Sequence, residues 1–270
     1  MRGDKSMTFK DKDVDPREML VGLSILYSGN WDKIYQAVTE KEELPLTPYE
    51  AERLTSSLDC KVVTILDKEY PQDLKQGFKP PFVLYYLGDI SMLKSSEKCL
   101  SVVGSREPTG DASFVTREMI HGLKKGITVV SGMARGIDTI AHESAIHSHH
   151  RTCAVLGSGF NHCYPAINEL LFEYLKKYEL VVSEYPPEVP PSPEKFPLRN
   201  RIIAGLSQKL LVTYAKRISG TSITIGFAVS MGRDVLCVPS NELTNSATNL
   251  AIKQGAYLVE DSDDINQFFI

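Results

Sequence analysis

Leu100-Ser101-Val102-Val103-Gly104-Ser105-Arg106 and Ile127-Thr128-Val129-Val130-Ser131-Gly132-Met133-Ala134-Arg135-Gly136-Ile137-Asp138 are two short apolar runs, each ending in a glycine turn that carries an arginine. Each is followed by a stretch with helical spacing. Runs of the same kind recur at Cys153–Leu156, Leu180–Val182, Lys209–Thr213, Val235–Val238 and Tyr257–Val259. Runs that are apolar on both faces and alternate with helices predict a parallel sheet covered on both sides, a doubly wound α/β domain. Ligands of such sheets sit beyond the carboxyl ends of the strands, where the unusual residues of this chain fall.

A glycine after a buried strand lets the backbone turn sharply and aims the amides of the turn and of the next helix at a phosphate. Gly104, Ser105 and Arg106 after one run, with Ser131, Gly132 and Arg135 after the next, make a candidate phosphate cradle whose arginines add forked donors. Glycine turns also serve packing, so the paired arginines carry the weight. Ser219-Gly220-Thr221 opens a later helix and suits either a phosphate or plain N-capping. The most distinctive stretch runs from Pro190 to Leu206 and contains Lys195-Phe196-Pro197-Leu198-Arg199-Asn200-Arg201. There Phe196 is placed to stack on a base, Arg199 and Arg201 to hold a nucleic-acid backbone, and Asn200 to bond a base edge or brace the loop. The same residues admit another reading, in which Phe196 anchors the core and the arginines pair with Glu184 or Glu188.

Other chemistries are disfavoured. Gly157-Ser158-Gly159 is a third glycine turn, but His162 stands where a dinucleotide fingerprint needs its last glycine. His142, His147, His149 and His150 lack zinc-site order, and no serine elbow has an acid and base in sequence. No catalytic residue, metal or cofactor is expected.

Upstream, Asp15-Pro16-Arg17-Glu18 has the form of a capping box, and Met19, Leu20, Leu23 and Tyr27 follow at helical spacing. Gly29-Asn30 ends that helix, Trp31, Ile34, Tyr35 and Val38 mark a second, and Thr47-Pro48-Tyr49-Glu50 opens a third. The expected organisation is a polar tail over 1–14, a small all-helical domain over 15–75 and a Rossmann-like domain over 76–270. The 270 residues carry a net charge of −4, which argues against a broad basic surface for duplexes and confines any nucleic-acid site to a local pocket. Five scattered cysteines without a C-x-x-C pair fit reduced thiols in a cytosol. The first fifteen residues lack an apolar h-region and no run reaches eighteen apolar residues, so neither secretion nor membrane insertion is expected.

With these residues in view the chain resembles the DNA-processing protein A (DprA/Smf) family of bacterial recombination mediators. The matching stretches, in order, are Gly104-Ser105-Arg106, Ser131 to Asp138, Tyr164-Pro165, Ser183 to Pro186, Phe196 to Leu206, Ser219-Gly220-Thr221, Gly232-Arg233 and Val238-Pro239. The resemblance covers roughly residues 70 to 260. It implies an extended Rossmann-like domain that binds single-stranded DNA and forms a homodimer, preceded by a domain like a sterile alpha motif. Its members protect incoming strands in natural transformation and load the recombinase RecA. On that analogy Arg106 and Lys195 to Arg201 bind the strand, while Ser131, Gly132 and Ser219 to Thr221 shape the phosphate pocket. Tyr214, Ser240 and Ala247 depart from the family pattern. The chain stops at Ile270 without the winged-helix extension of longer members, so a second DNA-binding module is not expected. The competing enzyme class is a nucleotide-processing protein on a lysine-decarboxylase-like fold; its Pro-Gly pair and catalytic glutamate are missing around Ser219 to Thr224.

Overall fold

A computed structural model describes residues 15–40, 44–242 and 244–269; the polar tail expected over 1–14 lies outside the described residues. Asp15 starts α1 (Pro16–Leu26) by accepting the Arg17 amide at 2.8 Å, with Pro16 at a position whose N–H would have no helical partner. α2 (Trp31–Glu40) and α3 (Pro48–Ser56) follow. The capping box of α3 closes both ways: Thr47 Oγ1 accepts the Glu50 amide at 3.3 Å, and Glu50 Oε2 accepts the Thr47 amide at 2.8 Å. Among the described residues no helix is long and apolar enough to cross a membrane.

Seven strands are parallel and correspond to the seven apolar runs: β3 (Cys99–Val103), β4 (Thr128–Ser131), β5 (Arg151–Leu156), β6 (Leu180–Ser183), β7 (Lys209–Val212), β8 (Asp234–Cys237) and β9 (Tyr257–Leu258). Alternate residues serve opposite cores, as the two-residue period of a strand requires. Val103, Val130, Leu210 and Val212 face one core, while Leu100, Val102, Val129 and Leu211 face the other. The second core is covered by α5 (Gly110–His121), α6 (Ile137–His147) and α11 (Ser262–Asn266). The first is covered by α7 (Glu169–Tyr178), α8 (Lys195–Gly205), α9 (Gly220–Ser230) and α10 (Ala247–Lys253), together with the amino-terminal helices.

Two further strands, β1 (Lys61–Thr64) and β2 (Val83–Gly88), complete a nine-stranded sheet in the order β1-β2-β6-β5-β4-β3-β7-β8-β9. Both pair antiparallel, β1 with β2 and β2 with β6. β1 falls inside the stretch read as all-helical, so the sheet reaches into 15–75. Its four residues grade from exposed Lys61 to buried Thr64, and an edge strand of that kind shows no doubly apolar run. The helices are tied to the sheet by Arg17 on Asp67 at 3.1 Å and by Trp31 Nε1, which donates to the Pro80 carbonyl at 2.7 Å.

Strand order reverses between β3 and β7. From β3 the chain steps through β4, β5 and β6 on one side, and from β7 through β8 and β9 on the other. The loops leaving β3 and β7 therefore diverge and leave a crevice at their carboxyl ends, the place where open α/β sheets take ligands.

Candidate nucleic-acid interface

The two diverging loops are bound to each other below the crevice. The Ser105 amide donates to the Tyr214 carbonyl at 2.8 Å, and Thr221 Oγ1 donates to the Gly104 carbonyl at 3.0 Å. Above these bonds lies a crevice of about 490 Å³. It brings together Gly104, Ser105 and Arg106 from the β3 loop, Phe196, Arg199 and Asn200 from α8, and Ser219, Gly220 and Thr221 from the start of α9. A smaller cavity of about 310 Å³ adjoins it and takes in Gly132 and Arg135. Ser131, Lys195 and Arg201 line neither.

Burial separates the basic residues that looked alike in the sequence. Arg106 is exposed at the rim, its guanidinium 5.9 Å from the centre of the Phe196 ring. Arg135 is exposed beside the smaller cavity. Arg199 is only 3% exposed, and its Nη1 donates to the carbonyls of Gly132, just past β4, and Val155, in the neighbouring β5 just before its last residue Leu156. It closes the carboxyl edge of β4 and β5 from above. Gly132 lets the Arg199 guanidinium come this close, because a Cβ there would lie 2.7 Å from it and displace it. Arg201 is 2% exposed and bidentate on Glu184, at 2.9 and 2.6 Å, with Nε on the Lys79 carbonyl at 3.0 Å. Pairing with Glu184 thus holds for Arg201 and not for Arg199, while Glu188 bonds Asn161 instead. Lys195 turns away to the Pro190 carbonyl at 2.6 Å, and the Ser131 hydroxyl is spent on the Val102 carbonyl at 2.7 Å, joining β4 to β3.

The floor carries a buried carboxylate. Asp138, in the first turn of α6, accepts the Ala134 amide at 3.3 Å. Burial pushes its carboxyl up to about 6, against the pull of Arg199, the amides of Ala134 and Gly132, and Arg106. Burial likewise lowers Arg199 to about 10, with Asp138 opposing. One turn on, His142 is fully enclosed, its Nδ1 2.7 Å from the Thr152 hydroxyl, and burial with Arg199 nearby drives it down to about 3.

The rim is made by Asn200, Ser219 and two residues the sequence reading did not select. Asn200 accepts from Arg199 Nε at 3.2 Å and donates to the Gly220 carbonyl at 3.3 Å, so it braces the loop. Ser219 makes no side-chain cap for α9, and the start of that helix, Ser219 to Thr221, lines the crevice and brings the positive end of its dipole there. Lys216 is exposed on the crevice wall, and the basic pair Lys216-Arg217 in the loop after β7 was its available signal. Tyr164, whose ring lies 5.1 Å from that of Phe196, stood out only in the Tyr164-Pro165 stretch of the family resemblance, since the two rings are brought together only by the fold. The departures are accommodated locally: Tyr214 donates to Glu242 at 2.5 Å, and Asn249 clamps Ser240 through its amide at 2.9 Å and its carbonyl at 2.7 Å.

Comparison with known proteins shows the family to which the chain belongs. The family model described as DNA recombination-mediator protein A matches residues 61–270. The DNA processing protein DprA of Streptococcus pneumoniae is 39% identical over 204 residues, 75% of this chain and 72% of that protein. The X-ray structure of DprA from Streptococcus pneumoniae superposes with a TM-score of 0.79 at 32% identity, covering 96% of this chain and 94% of that one. DNA processing protein A from Helicobacter pylori, whose structure concerns its single-stranded DNA binding mode, shares the fold with a TM-score of 0.70 at 24% identity, over 78% of this chain and 96% of that one.

Proposed function

The chain belongs to the DNA recombination-mediator protein A family, and on that premise we propose that it binds single-stranded DNA across the crevice between β3 and β7, without catalysing a reaction. The observation that carries this reading is convergence: exposed Arg106 and Lys216, the open start of α9 and an aromatic pair meet at one switch point in a chain of net charge −4. Arg106, Lys216 and the α9 amides take phosphates, with Ser105, Asn200 and Ser219 to Thr221 shaping the pocket. Arg135 and Gly132 extend it through the adjoining cavity. Arg199, Arg201 and Ser131 act by holding the loops that carry the contacts, and part-exposed Lys195 braces the approach to α8 through the Pro190 carbonyl. Single strands are favoured because their bases are free to stack, whereas a duplex hides them.

Family membership further supports a homodimer that protects incoming strands in the cytoplasm and loads RecA onto them during natural transformation. Light scattering is expected to give twice the 30.1 kDa chain mass. RecA nucleation on coated single strands is expected to accelerate when the protein is added.

The direct test is titration of oligo-dT and a matched duplex with wild type and Arg106→Ala. Tighter binding of the single strand is expected, weakened by about 1–3 kcal/mol in the variant through loss of charge-assisted bonds. Equal affinity for both DNA forms, or an unchanged Arg106→Ala titration, would overturn the reading.

A further inference from the structure

The crevice and its neighbour share one wall. Arg106, Ala134, Tyr164, Phe196 and Arg199 border both cavities, so the aromatic pair stands between them. Phe196 is the inner member of that pair and is half-buried. The Gly157 backbone presses against it so closely that a Cβ there would lie 2.8 Å from its Cδ1. Tyr164 lies against it at 5.1 Å with the planes 31° apart, and the Arg106 guanidinium is 5.9 Å from its centre. Little of that ring is left to receive a base. Tyr164, by contrast, is 50% exposed and comes from the loop after β5, supported from behind by Phe196.

From this geometry we infer that Tyr164 is the base-stacking platform of the site, with Phe196 as its support, and that successive bases of one strand lie on opposite sides of the Tyr164–Phe196 wall. The inference rests on the strand-binding reading above and deepens it. Volumes of about 490 and 310 Å³ each admit a base with its sugar. Arg106, in the wall itself, meets the phosphate that joins the two nucleotides. Stacking on a ring face is tolerant of base identity, so the platform recognises the unpaired strand and not a sequence.

The test compares Tyr164→Ala, Tyr164→Phe and Tyr164→Trp with wild type on oligo-dT, with the unfolding midpoint of each variant checked first. Tyr164→Ala is expected to lose roughly 5- to 150-fold in affinity, the range for one stacked base, while Tyr164→Phe stays within about twofold of wild type. Fluorescence of the indole added by Tyr164→Trp is expected to quench on saturation with oligo-dT, beyond any change from the single native Trp31. Oligonucleotides with abasic positions, which keep every phosphate, should bind wild type more weakly than dT and Tyr164→Ala no more weakly than dT. Unchanged affinity in Tyr164→Ala, an equal loss in Tyr164→Phe, an unquenched indole, or an abasic penalty undiminished in Tyr164→Ala would each overturn the inference. If Arg106→Ala weakens binding while Tyr164→Ala does not, the platform alone falls; if wild type binds no single strand, the strand-binding reading falls with it.

Discussion

Three arginines that look equivalent along the chain have three different physical roles. Arg106 is in water and available to a ligand, Arg199 is spent on strand-end carbonyls, and Arg201 is sealed against Glu184. Removing one partner of a buried ion pair leaves the other charge uncompensated, which costs about 3–5 kcal/mol. Arg201→Ala is therefore expected to lose about that much stability in urea denaturation, while Arg106→Ala stays within about 0.5 kcal/mol of wild type. The opposite ordering would mean that the buried pair is not intact in solution. None of this could be read locally, because the groups that claim Arg199 lie 67 and 44 residues away in sequence. What was legible was the residue type: a forked donor near a strand end, in a segment stiffened by proline.

At the level of elements, α6 carries two buried titratable groups with opposed shifts. The Asp138 carboxyl is raised from 3.8 to about 6, so its contribution to stability is full below the unfolded value and is lost as pH rises through about 6. His142 is lowered from 6.5 to about 3, so its contribution is full above pH 6.5 and is lost as pH falls towards 3. Between pH 4 and 6 the two slopes oppose each other. Asp138→Asn is expected to steepen the loss of stability on acidification in that window, and His142→Gln to flatten it, each by up to roughly 1.4 kcal/mol per pH unit. Urea unfolding at pH 4, 5, 6 and 7 checks this; curves parallel to wild type would refute it. The helices were legible because caps and apolar spacing are local: Thr47 and Glu50 close the box that their order implies. β1 was not read as a strand and the antiparallel pairing of β2 was not foreseen, since such an edge is recognised by its pairing partners, and β6 is about a hundred residues away from β2.

For the whole molecule, the acidic balance limits how much electrostatics can contribute. Among the described residues, Arg106, Arg135, Lys216 and Arg217 are exposed cations at the carboxyl edge, in a chain with four more acidic than basic side chains. Two to four phosphate contacts on a single strand give a slope of log affinity against log salt of roughly −1.5 to −3. Titrations from low to moderate sodium chloride are expected to show that slope; one several times steeper would indicate a broad basic face instead of a pocket. The sequence by itself determined the doubly wound architecture and pointed to the edge where the candidate site lies, because strand period, glycine turns and helix caps are encoded within a few neighbouring residues. Only the tertiary structure decided that the crevice opens between β3 and β7, that Tyr164 backs onto Phe196, and that Arg106 reaches solvent while Arg199 and Arg201 do not. Those are questions of burial and of distance between remote segments, and packing alone brings the segments together.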